Sequence, residues 1–421
     1  MSYFYQKIFL FSFFLGIAVP IFPTYTGGMM YHALLISLMP LFFIGFVFKT
    51  TKEFFCCFFL IFFLFLIASI FSLLNEVDLS LLSLISSFKI LYFLFYFMMG
   101  YSFSTIANNA IEGFTKVYFL LVIISMIFGV VELINPSISY FLYKRDSIEI
   151  LDDKLSSIFN TTYHLSFFLF FGFLYFLISY VEKIKGNNFR DKKTSFPLLS
   201  CIIIFLFILL TQSRIFVLVS LFMFFLMLSV VFIKKITNIK IFSLIIIITV
   251  SFLWTLNIYL EEISEKFYYV INGIEFLISG SLDFSGNGIG SFNTRINQII
   301  FSINEIKNNP FIGAGSGKDL YLESLYSYLL YKYAVPGLLL YFICGFFILK
   351  IINKNIELSQ SELDLVFFKT CYWFFLLSPI YFLSGPLFDV PKLSQFFFCL
   401  IGVIYGRYFY KTRYNLVNQS H

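Results

Sequence analysis

The charged residues best suited to chemistry in this sequence are Arg214, Arg295, Lys318 and Glu323. A guanidinium offers a planar fork of donors that matches phosphate oxygens, and a carboxylate beside cations can act as a general base. Arg214 closes the string Thr211-Gln212-Ser213-Arg214, a polar break inside an otherwise apolar run. Taken alone it reads equally well as an anchor snorkelling to a membrane boundary. Arg295 follows Asn293 and Thr294, either of which can cap a helix whose Ile296, Ile299, Ile300, Ile303 and Ile306 recur at helical spacing. A cation in that first turn opposes the helix dipole at a cost of about 0.3–1 kcal/mol, which points to an anion nearby. The competing reading is a solvated loop arginine.

Asn308-Asn309-Pro310 ends the isoleucine pattern, because proline cannot continue a helix. A flexible turn follows, Gly313-Ala314-Gly315-Ser316-Gly317-Lys318, and feeds the next apolar run through Asp319, Glu323 and Tyr326. Unpaired N–H groups at a helix start form an anion site when Gly315 and Gly317 let a ligand approach the backbone. Lys318 adds charge. The string is not a nucleotide P-loop, since its spacing differs and no strand precedes it. Glu323 also has a plain explanation, because acidic residues suit a first helical turn.

Other polar residues sit at membrane depth. Lys89 and Glu132 fall inside apolar runs, where ionisable groups are functional or paired. His164, just after Asn160-Thr161-Thr162, is placed to line a polar cavity. With 3 histidines in the chain and none near a second ligand, no metal site is expected. No Ser-His-Asp or Cys-His set is present.

The elements that must position these residues are membrane helices. The chain is 60% hydrophobic and 12% charged, with a mean hydropathy of +0.90, whereas a soluble domain carries roughly 25% charged residues. Runs such as 54–74 cross the roughly 30 Å of hydrocarbon as helices, because each backbone polar group must be paired internally there. The alternation of an outer-membrane barrel is absent. The net charge of +6 is read as membrane orientation and contact with anionic headgroups, not nucleic acid. Cys56, Cys57, Cys201, Cys344, Cys371 and Cys399 all lie in apolar runs and read as small buried hydrophobes. Residues 8–22 lack a cleavage signal and read as a retained first span.

The expected fold is all-α and polytopic, a single membrane domain over 1–421 with about twelve spans. They fall near 7–23, 29–48, 54–74, 80–101, 114–134, 162–181, 196–211, 214–233, 241–259, 321–349, 364–384 and 393–410. Positive charge collects on alternate connections, around 49–52, 183–193, 234–240, 350–354 and 407–413, which places them and both termini in the cytoplasm. The connections 135–161 and 260–320 then face outward, and the second is long enough to be a functional loop. As one helix 196–233 would measure roughly 55 Å, nearly twice the hydrocarbon thickness. It is therefore expected to break at Arg214, because an arginine left in lipid costs about 2.5–3.5 kcal/mol or more.

The T-Q-S-R tip, the dominant outer loop, the segment N-T-R-I-N-Q…N-N-P-F-I-G-A-G-S-G and the F-x-N stretch at Phe159-Asn160 together resemble the Wzy-type O-antigen and capsule repeat-unit polymerases. These are relatives of the O-antigen ligases, and the resemblance spans about 155–345. It implies a metal-independent, GT-C-like glycosyltransferase of the bacterial inner membrane that needs no cofactor. Its donor and acceptor would be undecaprenyl-diphosphate-linked oligosaccharides on the outer leaflet. Membrane lipids and a chain-length regulator would be its other partners. On this resemblance Arg214 and Arg295 clamp the donor diphosphate, and Lys318 is added to them for its charge alone. Glu323 activates the acceptor hydroxyl, at a position where ligases typically carry His. Apart from the resemblance, Gly315, Gly317, Tyr326, Asn160 and His164 are expected to contact substrate. The alternatives are an O-antigen ligase, a lipid-linked oligosaccharide flippase or other transporter, and a receptor or structural protein.

Overall fold

The computed structural model describes residues 2–18, 63–64, 66–67, 69–70, 89–107, 109–136, 155–159, 161–186, 192–235, 290–307, 310–314, 322–387 and 390–419. Among the described residues there are helices and no strands. The helices are α1 (Ser2–Ala18), α2 (Lys89–Ile106), α3 (Ala110–Ile134), α4 (Thr162–Gly186), α5 (Lys192–Leu210) and α6 (Arg214–Lys235). They continue with α7 (Gly290–Ile306), α8 (Leu325–Glu357), α9 (Glu362–Leu376), the short α10 (Ser378–Tyr381) and α11 (Pro391–Gln419). Expected spans 29–48 and 241–259 lie outside the described residues, as does most of 54–74.

Three described helices are long and apolar enough to cross a membrane, α3, α4 and α8, and a fourth span results if α9 and the turn to Ser384 count as one bent element. Along α3 and α8 the apolar side chains point outward in rows, whereas α4 is largely covered within its unit. Leu120, Ile123, Ile127 and Val130 are exposed along α3, and Leu339, Phe342, Ile343 and Phe346 along α8. Rows of this kind at helical spacing would be an aggregation surface in water and are the ordinary covering of a helix in lipid. The chain is a membrane-embedded helical protein.

The residues form two compact units. The larger comprises Met1–Arg145, Ser157–Asn160 and Thr294–His421, and the smaller Asp146–Ser156 and Thr161–Asn293. The core of the larger unit is the α2–α11 pair, which packs through glycine. A Cβ on Gly100 would lie 2.1 Å from the Cys399 carbonyl oxygen, one on Gly402 2.2 Å from that of Phe97, and one on Gly406 2.6 Å from that of Tyr101. Gly402 and Gly406 form a G-x-x-x-G face, the sequence device that lets two membrane helices bring their backbones together. Phe93 stacks on Phe398 at 4.5 Å beside this seam. The side chain of Asn355 on α8 donates to the Ile404 carbonyl at 3.0 Å, so a buried amide ties α8 to α11.

In the smaller unit α4 packs against both α5 and α6. The helix through 196–233 does break where expected: α5 ends at Leu210 and α6 begins at Arg214. Gln212 takes a positive φ of 54° in the turn. Thr211 Oγ1 is 2.6 Å from Ser166 Oγ, and the Leu155 N–H donates to the Leu210 carbonyl at 3.1 Å. The polar letters of the break thus satisfy backbone and hydroxyl groups that a bare helix end would leave open.

Two expected spans differ from single straight helices. Residues 364–384 bend by 45° between α9 and α10, beside Pro379, which cannot donate a helical hydrogen bond. The expected span 321–349 starts at Leu325, runs to Glu357, and is broken at Ala334, with φ 52° and ψ −155°. Pro336 explains the break, since it has no N–H for the Lys332 carbonyl and its ring crowds that group. The chain at 310–314 repairs the damage. In an unbroken helix the Val335 N–H would donate to the Tyr331 carbonyl. Here Val335 N–H donates to the Pro310 carbonyl at 3.2 Å, and the Tyr331 carbonyl accepts from Ala314 N–H at 2.8 Å. A Cβ on Gly313 would lie 1.9 Å from the Lys332 carbonyl oxygen, so only glycine permits the crossing. Irregular backbone at membrane depth is tolerated where protein covers it in this way. Because Ala334 holds a conformation suited to glycine, Ala334→Gly is expected to stabilise the protein by about 1 kcal/mol, which a thermal unfolding curve in detergent will show; a lower midpoint would contradict it.

Candidate functional site

Helix α7 begins at Gly290, earlier than Asn293 or Thr294. Those two residues are helical rather than caps. The apolar pattern extends upstream, with Phe292 four residues before Ile296, so backbone pairing continues through them. Arg295 therefore sits in the second turn, and the argument from an opposed dipole at the first turn falls. Helix α7 lays Ile299 and Ile306 against Leu330, Ala334 and Leu338 of α8, and Phe301 stacks on Tyr331 at 6.0 Å. This packing, not the dipole, sets where Arg295 points.

Arg295 Nε lies 3.4 Å from Glu323 Oε2, and both side chains are largely shielded, at 12% and 28% exposure. Glu323 is not in the helix. It precedes Ser324, whose hydroxyl caps α8 by accepting from the Tyr326 N–H at 3.3 Å. The dipole account of Glu323 thus weakens by one position. Its backbone is held instead from α7, where Gln298 Oε1 accepts the Glu323 N–H at 2.8 Å. A Cβ on Gly385 would lie 3.4 Å from the Glu323 carbonyl oxygen, so the turn after α10 borders the same spot. Tyr326 donates its hydroxyl to the Pro379 carbonyl at 2.5 Å and stacks on Phe342 at 6.3 Å. A cation, a carboxylate and an amide therefore meet just before α8, one turn ahead of Tyr326.

The remaining predicted residues are placed as follows. Arg214 is half-buried at the first position of α6 in the smaller unit. His164 lies in the first turn of α4, its backbone N–H donating to Thr161 Oγ1 at 3.4 Å. Its Nδ1 is buried with no hydrogen-bond partner among the described residues. Asn160, Gly315, Gly317 and Lys318 lie outside the described residues, and so does Asp319. The backbone of Lys89 opens α2, and its side chain also lies outside them.

Neither a protein-family model nor a curated protein matches this chain. The functional reading therefore rests on the residues, their geometry and the resemblance of their motifs.

Sequence reasoning missed the buried Lys392, although it singled out its buried companion Glu132. Lys392, at the start of α11, donates to the Ile158 carbonyl at 2.7 Å and lies 5.8 Å from the Phe159 ring centroid. Glu132, near the end of α3, accepts from the Ser157 N–H at 2.5 Å. Together they clasp the short segment Ser157–Phe159, where Ser157 takes a positive φ of 53°. Glu132 thus has a structural partner. A lysine directly after a proline at the head of an apolar run, Pro391-Lys392, was the available signal for the first. Lys332 is likewise buried, beside the break in α8, donating to the Tyr328 hydroxyl at 3.3 Å with its ammonium 5.5 Å from the Tyr333 ring. Among the described residues no three His, Cys, Asp or Glu gather at metal-binding distance. Cys201, Cys371 and Cys399 are buried free thiols, as their apolar neighbours suggested.

Proposed function

We propose that this protein extends O-antigen or capsular polysaccharide by transferring a growing glycan from undecaprenyl diphosphate to a new lipid-linked repeat unit. The observation that carries the reading is the Arg295–Glu323 pair. Residues from two separate segments, each singled out for diphosphate binding or proton removal, are neighbours at one helix start.

In the proposed step the acceptor hydroxyl oxygen bonds to the anomeric carbon of the donor glycan. The bond from that carbon to the diphosphate oxygen breaks, and undecaprenyl diphosphate leaves with the electron pair. Glu323 takes the hydroxyl proton. Arg295 offers its fork to the departing diphosphate, where developing negative charge is best stabilised by preorganised donors. In the resting protein the same fork is partly engaged by Glu323, so arrival of the diphosphate exchanges one anion for another and frees the carboxylate. The resemblance adds Arg214 to the diphosphate set, and Lys318 joins it for its positive charge beside the glycine turn. A GT-C-like arrangement of about twelve spans in the bacterial inner membrane, with cytoplasmic termini and an outward loop over 260–320, completes the proposal.

A second reading has its own support. A broken helix carrying a buried Lys332 beside Ala334 is a feature of transporters, which favours a lipid-linked oligosaccharide flippase. The full chain in nanodiscs, supplied with the host's lipid-linked repeat unit, separates the two. A polymerase yields a ladder of longer lipid-linked glycans and releases undecaprenyl diphosphate. No ladder, with leaflet-to-leaflet movement of the unextended unit in proteoliposomes, rejects the polymerase and favours the flippase.

A further inference from the structure

A second polar site lies at the other end of the larger unit. There the start of α3, the end of α8, the start of α9 and the end of α11 surround a cavity of about 510 Å³, within the size range of built small-molecule sites. Arg407, Tyr410 and Lys411 of α11 line it, opposite Asp364 of α9 and Glu112 of α3. Lys411 Nζ lies 2.8 Å from Asp364 Oδ2 and also donates to the Leu358 carbonyl at 3.3 Å. Arg407 Nη2 stands 3.8 Å from that same Asp364 oxygen, and its guanidinium lies 5.0 Å from the Tyr410 ring centroid. Glu112 is matched by Lys116 at 2.7 Å. The lining itself carries two cations and two carboxylates, and the exposed Lys116 beside Glu112 brings the cluster to one net positive charge.

The two cationic side chains are largely shielded, at 14% for Arg407 and 12% for Lys411. Charges held in a cleft wall are less screened than charges in open water and attract an anion more strongly. The helix ends place the cavity at the boundary between apolar spans and water, and Leu358 and Leu363 form part of its wall. Cations, a phenol and an apolar edge at that depth match a phosphate joined to a glycerol and its acyl chains. Basic pockets between helices at this boundary hold anionic lipid headgroups.

We propose that this cavity binds the phosphate of an anionic lipid headgroup, gripped by Arg407 and Lys411 beside Tyr410. The site is independent of the Arg295–Glu323 pair and stands whichever reaction that pair serves.

The full chain, purified in detergent, is titrated with phosphatidylglycerol, phosphatidylcholine and inorganic phosphate, and bound species are counted by native mass spectrometry. Phosphatidylglycerol is expected to be retained in preference to phosphatidylcholine. Arg407→Gln and Lys411→Gln are each expected to weaken that retention roughly fivefold, and together roughly 25-fold. Asp364→Asn removes the competing carboxylate and is expected to tighten retention, an outcome that misfolding does not produce. Equal retention of the two lipids by the unaltered protein overturns the proposal. So does unchanged retention in the double variant, weaker retention in Asp364→Asn, or saturable binding of inorganic phosphate without lipid preference.

Discussion

Glu323→Gln is expected to lower glycan extension by about 10²- to 10⁴-fold while the protein stays folded and still binds donor lipid. The exchange keeps the shape of the side chain but removes its ability to take a proton and the negative charge that faces Arg295. Little structural cost is expected, because Glu323 lies outside α8 and Ser324, not Glu323, caps the helix. Its backbone anchor to Gln298 is also untouched by the substitution. The companion change is Arg295→Lys, which keeps a positive charge but loses the planar fork. It is expected to weaken donor binding and turnover together. A purely structural ion pair would behave differently: both variants would lower the unfolding midpoint and leave turnover per folded molecule unchanged. Lipid-linked ladders normalised to folded protein, with donor retention measured separately, decide between these outcomes. Full extension by Glu323→Gln removes the residue from the mechanism.

Gly402→Leu is expected to be the most damaging single change to the fold described here, costing about 3 kcal/mol or more. A Cβ at this position would meet the Phe97 carbonyl oxygen at 2.2 Å and the Tyr101 nitrogen at 2.7 Å. Both are backbone atoms of α2, and a helix backbone cannot step aside as a side chain can. Separating α2 from α11 would also undo the contacts of Phe398 and Cys399 on the same seam. Gly345→Ala serves as the comparison, since nothing lies within 4 Å of the Cβ it would add. It is expected to leave the protein unchanged or to stabilise it by up to about 1 kcal/mol, the helix preference of alanine over glycine. Unfolding midpoints of the two variants in the same detergent test the contrast. A Gly402→Leu protein as stable as the parent would mean that the α2–α11 contact is not close.

Much of the helical plan was legible because its causes are local. Apolar runs of span length stand out against charged breaks, and the polar letters Thr211-Gln212-Ser213-Arg214 mark the end of one helix and the start of the next. The isoleucine spacing over 296–306 identified α7 for the same reason, although its start was placed too late. Signals equally local were overlooked. Pro336 marks the break in α8, and Gly402 with Gly406 marks the helix face that packs most closely. Neither changes the hydropathy of its segment, so a reading based on apolar length passes over both.

Amino-acid order alone determined that this chain is helical and lies in a membrane, because lipid offers no water to pair with backbone groups and long uncharged runs must pair their own. It also supplied the chemical alphabet of the candidate site, a guanidinium and a carboxylate in neighbouring segments. What only the tertiary structure decided is which groups meet. Arg295 reaches Glu323 because α7 packs on α8 and Gln298 holds the Glu323 backbone. The 310–314 segment completes the broken turn at Ala334, and Lys392 finds the Ile158 carbonyl across the fold. Such contacts depend on directions and distances between elements far apart in the chain. Hydropathy and residue spacing describe each segment by itself and carry no information about those directions.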